Sequence, residues 1–132
     1  MALDVHVVTP ERELWTGSAT EVIAHGVEGD VGILTGHAPL LVRLAVGPLQ
    51  VLREDGGWLR AVVDGGFLHV STEEGVTRVD VLATTAQLED EIDVETARRR
   101  LEELRSAGGD DEDAKQEAAR AQARVSLAGN PS

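Results

Sequence analysis

The sequence predicts an α+β protein: an N-terminal antiparallel β-sandwich followed by a C-terminal antiparallel two-helix hairpin. Three observations lead there. Residues 1–86 hold short runs of alternating apolar and polar residues, broken by glycine-rich turns. After Ala86 the alternation gives way to apolar residues at three- and four-residue steps on a charged background. The aromatic residues are only Trp15, Trp58 and Phe67, so the core must be built of Val, Leu, Ile and Ala. That composition favours a flat aliphatic sandwich over a deep aromatic-lined pocket. The chain divides into a sheet domain, residues 1–86, and a helical domain, residues 87–132.

The strands follow in order. Leu3, Val5 and Val7 alternate with Asp4 and His6, the period of a half-buried strand, and Thr9-Pro10-Glu11-Arg12 turns the chain. A second strand covers about 14–24. The stretch Gly29-Asp30-Val31-Gly32-Ile33-Leu34-Thr35-Gly36-His37-Ala38-Pro39-Leu40-Leu41 packs three glycines, a proline and a histidine around a short apolar centre. Glycine opens backbone angles that other residues resist and proline fixes φ, so this reads as a shaped surface loop beside a short strand at 31–34. Runs at 49–53 and 58–63 flank Glu54-Asp55-Gly56-Gly57, a hairpin signal. Asp64-Gly65-Gly66 makes a corner into 67–72, and Glu73-Glu74-Gly75 makes another into 76–83.

Two helices follow the polar connector at 87–91. Asp93 is placed to cap the first, and Val94, Ala97, Leu101 and Leu104 form its narrow apolar stripe. Glu95 with Arg99, and Arg99 with Glu103, stand four residues apart. Ser106-Ala107-Gly108-Gly109 ends this helix. The acidic cluster at 110–113 suits the positive end of a second helix running to about Leu127, where Gly129-Asn130-Pro131 stops it. The second helix's inner stripe is Ala118, Ala121, Val125 and Ala128. At about 0.8 kcal/mol per buried CH₂, alanines hold far less than leucines would. The hairpin is therefore expected to be a detachable layer whose docking a partner can tip.

Composition excludes several function classes. With 12 basic and 24 acidic residues the formal net charge is −12, which opposes nucleic-acid binding and docking on anionic lipid. The absence of cysteine removes disulfides and thiolate metal sites and fits a reducing compartment. The opening Met1-Ala2-Leu3-Asp4 lacks the pattern of a secretory signal, and no apolar run reaches the ~20 residues of a membrane span, so a cytoplasmic location is expected. His25, Glu28, Asp30 and His37 are metal-ligand types, but their spacing fits no ligand template. A phosphate loop needs Gly-Lys-Ser/Thr, and Thr35-Gly36-His37 supplies no lysine. Catalysis by this chain alone is not expected.

Three motifs carry a family resemblance. Gly29–Leu41 resembles the signature G-x-x-G-I-L-P-G-H-A-P-L, with Thr35 in place of the proline. Gly65-Gly66-Phe67-Leu68-His69-Val70 resembles Gly-Gly-Phe-Leu-x-Val, and Val79–Ala86 resembles V-x-V-L-A-x-x-A. Together they make the chain similar to the epsilon subunit of rotary F-type ATP synthases. The resemblance implies a non-catalytic rotor component of the central stalk, at the cytoplasmic face of the plasma membrane and without membrane insertion of its own. Its sandwich would bind the gamma subunit and sit on the c-subunit ring, coupling proton translocation to ATP synthesis. Its helices would fold on the sandwich or extend to meet the catalytic beta and alpha subunits and restrain ATP hydrolysis.

Residue by residue, the resemblance implies that Glu28, Asp30 and Val31 meet the c ring and that Gly32, Gly36, His37 and Pro39 shape the loop. The plainer role for His37 is a ring that satisfies a loop carbonyl. Lys115, Arg120 and Arg124 would give the second helix a basic edge. Some members of the family bind regulatory ATP through Ile/Leu-Asp-x-x-Arg-Ala. Here Ile92 and Asp93 are present, Thr96 replaces the arginine, and Arg99 and Arg100 lie one turn on, which argues against tight binding. No cofactor or metal is expected. The alternative reading is a non-catalytic binding sandwich with a helical tail that self-associates through the alanine stripe.

Overall fold

A computed structural model describes residues 2–109 and 111–128. The elements are β1 (Leu3–Val8), β2 (Glu13–Gly26), β3 (Gly29–Leu34), β4 (Leu40–Arg53), β5 (Trp58–Glu73) and β6 (Val76–Leu88). A 3₁₀ turn (Glu89–Glu91), α1 (Val94–Ala107) and α2 (Glu112–Ala128) follow.

The long strands each serve two layers. In layer one, residues 13–19 of β2, β1, 76–82 of β6, 67–73 of β5 and 40–43 of β4 lie side by side. In layer two the order is β3, then 21–24 of β2, 49–52 of β4, 58–63 of β5 and the end of β6. The runs expected as separate strands at 58–63 and 67–72 are thus one strand, and 49–53 is the far half of β4. Asp64-Gly65-Gly66 is not a turn but the bend that carries β5 between layers. Gly65 and Gly66 sit at φ +72° and +93°, and a Cβ on Gly66 would overlap the Leu82 carbonyl oxygen of the neighbouring strand. The sandwich departs from strict antiparallel pairing once, where β1 runs parallel to β6 while pairing antiparallel with β2. That insertion joins the first and last strands and leaves no open edge between them.

The core follows strand alternation. Leu3, Val5 and Val7 of β1 point inward with Val22, Leu49, Val51, Val63, Leu68, Val70, Val79 and Val81, all fully buried. Branched aliphatics fill the gap between two pleated faces, and Trp15 is the aromatic side chain packed, partly buried, against them.

Both helices start on acidic caps. Asp93 accepts from the Thr96 N–H at 3.1 Å, and Asp111 accepts from the Ala114 N–H at 2.7 Å. Gly108 closes α1 in the left-handed conformation. Ala97 and Leu101 are buried against α2, whose Ala121 is fully buried. Salt bridges on α1 form at three-residue rather than the expected four-residue spacing, Glu95 with Arg98 at 2.7 Å and Arg100 with Glu103 at 3.2 Å. Arg100 also reaches Glu117 and so ties α1 to α2. The expected helix-starting Asp110 and the helix stop Gly129-Asn130-Pro131 lie outside the described residues. Of the two helices, α2 is the one laid along β4 and β5 of layer two.

The bend gives a sharp test. Gly66→Ala should cost about 2–3 kcal/mol, because positive φ and the Leu82 carbonyl both oppose a Cβ. Gly32 has ordinary φ and open space beside it, so Gly32→Ala should unfold at nearly the wild-type denaturant midpoint.

Candidate functional site

Three surfaces stand out: the tip of the β2–β3 hairpin, the outer face of layer one, and the seam under α2. None is a catalytic constellation, and among the described residues no group of His, Asp or Glu could hold a metal ion. Of His25, Glu28, Asp30 and His37, His25 pairs with Asp30, and the four do not form one ligand cluster.

At the tip, the chain reverses at Val27 and Glu28, between paired Gly26 and Gly29. Gly29 takes φ +129° there, and the Val27 N–H is held by the Arg43 carbonyl at 2.9 Å. Glu28, Asp30 and Val31 share a groove of about 500 Å³ with Val27, Leu41 and Arg43. Val27 is 56% exposed and Leu41 64%, so the acidic tip is flanked by apolar side chains in water. Asp30 is oriented by His25, whose Nδ1 lies 2.6 Å from its Oδ1.

The loop after β3 is pinned from both ends. The His37 N–H donates to the Leu34 carbonyl at 3.1 Å, and Gly36 has φ +87°, which makes residues 34–37 a type II turn. The Gly36 N–H donates to Thr77 Oγ1 at 2.9 Å, and Thr77 is only 2% exposed. The His37 ring contacts the Ala38 carbonyl oxygen at 2.7 Å. Pro39 is exposed and leads into β4, while Gly32 lies within β3 opposite Ile23. Gly36 therefore shapes the turn by its backbone, and Gly32 does not.

Layer one exposes an apolar patch that strand reading passed over. Phe67 pairs with Leu82 and with Arg43, and Leu41 lies one step along, opposite His69. Phe67 is 46% and Leu82 51% exposed. The signal was present in Leu40-Leu41-Val42, Phe67-Leu68 and Val81-Leu82-Ala83. Where apolar residues are adjacent in a strand, they cannot all face the same core.

The seam gathers charge. Arg120 Nε donates to Asp64 Oδ2, and Arg124 Nε donates to Gln87 Oε1 at 3.0 Å. Beside them Arg12 Nη2 meets Glu91 Oε1 at 2.6 Å. These six polar residues line a cavity of about 360 Å³. Below it Val62 points away from the core yet is only 5% exposed. The expected basic edge is therefore split in the docked hairpin. Arg120 and Arg124, one turn apart, face the sheet, while Lys115, five residues back and about 140° round the helix, stays exposed.

The residues suggested for ATP do not form a pocket. Asp93 is occupied as the α1 cap, and its carboxyl is held below the ordinary range by the Thr96 backbone and side chain. Arg100 is committed to Glu117 and Glu103, which raise its pKa. Arg99 is exposed, Ile92 ends the 3₁₀ turn, and none of the four lines the 360 Å³ cavity.

Comparison with known proteins adds the following. The family model described as ATP synthase, Delta/Epsilon chain, beta-sandwich domain matches residues 2–89. The chain is 44% identical over 128 residues to the ATP synthase epsilon chain of Thermobifida fusca, covering 96% of this chain and 91% of that one. Its identity to the ATP synthase epsilon chain of Synechococcus elongatus is 42% over 137 residues, covering 98% and 96%. Among solved structures it is similar to a chain in the cryo-EM structure of Euglena gracilis mitochondrial ATP synthase, OSCP/F1/c-ring in rotational state 1. The TM-score there is 0.74 at 25% identity, covering 97% of this chain and 78% of that one.

Two outcomes follow from this geometry. Thr35 occupies the second position of the type II turn, where the fixed φ of proline fits but an interaction made by Thr35 is at stake, so Thr35→Pro should shift stability in urea unfolding by no more than about 1 kcal/mol. Glu91 and Asp93 both ionise more easily in the folded chain, Glu91 chiefly through Arg12 and the Leu88 N–H. The stability they lend is fully present above the ordinary carboxylate range and is lost as pH falls through their lowered values. Far-UV circular dichroism should therefore show the helical signal holding through neutral pH and weakening as the chain is acidified through the carboxylate range.

Proposed function

The chain belongs to the ATP synthase epsilon family, as a non-catalytic subunit of the central stalk, and from that premise we propose that it couples rotation to synthesis while carrying a releasable brake on hydrolysis. In this reading the sandwich is the anchor. Its outer apolar patch, Leu41, Phe67 and Leu82, is the surface offered to gamma, because three large side chains held in water on a rigid sheet are costly unless a partner covers them. The tip, with Glu28, Asp30 and Val31, is the surface offered to the polar loops of the c ring. The complex would lie at the cytoplasmic face of the membrane. No helix among the described residues is long and apolar enough to cross one.

The hairpin is the brake, and the observation that carries this is how lightly α2 is held. Its buried side chain is Ala121, and its C-terminal half leaves a cavity of about 550 Å³ over Pro48, Gln50 and Arg60. A helix held by alanines and a few polar bonds has a released state within a few kcal/mol of its docked state, which a partner's binding can overcome. Release would free Arg120 and Arg124 to join Lys115 against the catalytic beta and alpha subunits. The self-association alternative is disfavoured because, of the stripe it needs, Ala121 is fully buried within the chain and Ala118, Val125 and Ala128 are half-buried.

Ending the chain after Glu91 should raise ATP hydrolysis by the assembled catalytic complex while gamma binding persists. Unchanged hydrolysis would remove the brake from this reading. Phe67→Asp should weaken gamma binding roughly tenfold or more in a titration, with a cooperative unfolding transition retained because the side chain is half-exposed and outside the core.

A further inference from the structure

The seam under α2 holds three guanidinium groups, Arg12, Arg120 and Arg124, against two carboxylates, Asp64 and Glu91, in a chain whose net charge is −12. Glu91 is engaged by Arg12 and by the Leu88 N–H. Gln87 gives Arg124 a neutral acceptor. Asp64 is thus the carboxylate available to α2, and it reaches Arg120 across 56 residues of sequence. Its position is fixed by the fold. It is the last β5 residue before the Gly65-Gly66 bend, turned toward the hairpin, and its side chain is 23% exposed against 37% for Arg120.

We propose that Asp64 is a resident competitor for the α2 arginines, so that release of the hairpin is an exchange of one carboxylate for another. Docked, Arg120 is held by Asp64 and its guanidinium is directed into the seam. Released, it carries an unpaired charge that seeks a carboxylate-bearing protein surface, and the same group cannot serve both. Asp64 thereby sets how strongly an acidic partner must attract the hairpin before it opens. This rests on the reading of the hairpin as a releasable arm.

The exchange makes a prediction that simple packing does not. Asp64→Asn and Arg120→Gln both break the docked pair, so both should raise the released-to-docked ratio, by roughly three- to tenfold for a partly exposed ion pair. Their effects on the partner complex should be opposite in sense. Asp64→Asn frees an intact arginine and should deepen inhibition of ATP hydrolysis, whereas Arg120→Gln removes the group the partner needs and should not.

The natural absence of cysteine permits spin labels at Ser18→Cys and Glu102→Cys, one on the sandwich and one on α1, both exposed in the full chain. The docked distance should lose population in Asp64→Asn and Arg120→Gln and recover in the Asp64→Arg, Arg120→Asp double variant, which also shows that the chains fold. Added salt should shift the wild type toward release and leave Asp64→Asn nearly unmoved. An unshifted distance in Asp64→Asn, or inhibition by Arg120→Gln as deep as by Asp64→Asn, overturns the exchange. If truncation after Glu91 leaves hydrolysis unchanged, the arm reading fails instead, and the exchange has no recipient.

Discussion

Everything in this fold depends on two glycines that let one strand belong to two layers. At Gly66 the backbone of β5 passes so close to the Leu82 carbonyl that any side chain would collide, and both Gly65 and Gly66 hold a φ that other residues resist. Without that bend β5 could not pair with 47–52 of β4 in one layer and 76–82 of β6 in the other. The bend also distributes the functional surfaces. Asp64, just before it, faces the hairpin on layer two, and Phe67, just after it, faces solvent on layer one. Two residues of backbone thus separate the surface that holds the arm from the surface offered to a partner.

The two halves of the chain are held by different physics. The sandwich fully buries a core set of Leu, Ile and Val from both layers, Leu3, Ile33, Leu49, Leu68 and Val81 among them, each worth about 1.5–3 kcal/mol of transfer free energy. The hairpin contributes Ala97, Leu101 and Ala121 to burial and otherwise relies on polar ties such as Arg124 to Gln87 and Arg105 to Gln122. The first arrangement makes a rigid anchor and the second a layer that can leave. The polar ties also give direction, since guanidinium groups align α2 over Asp64 and Gln87 in a way that alanine contacts alone would not.

Much of the architecture was legible because local chemistry and tertiary structure agree there. Alternation in β1, the Asp93 cap, the acidic start of α2 and the Gly108 stop each rest on a few neighbouring residues. Local pattern and structure part where one pattern has two physical meanings. Asp64-Gly65-Gly66 is as compatible with a turn as with a bend, and only the strand beside it decides. The spacing of Arg99 allowed salt bridges at four residues, but Glu95 pairs with Arg98 and Glu103 with Arg100, each at three residues.

By itself the sequence determined the fold class, the aliphatic core, the two ends of α1 and the family, because each is carried by short-range periodicity or by contiguous motifs. Only the tertiary structure decided that β1 runs parallel to β6, that Phe67 and Leu82 share one exposed patch, and that Arg120 is met by Asp64. Those are relations between residues far apart in the chain. They follow from register and from which face of a strand or helix meets another, and no window of neighbouring residues contains that information.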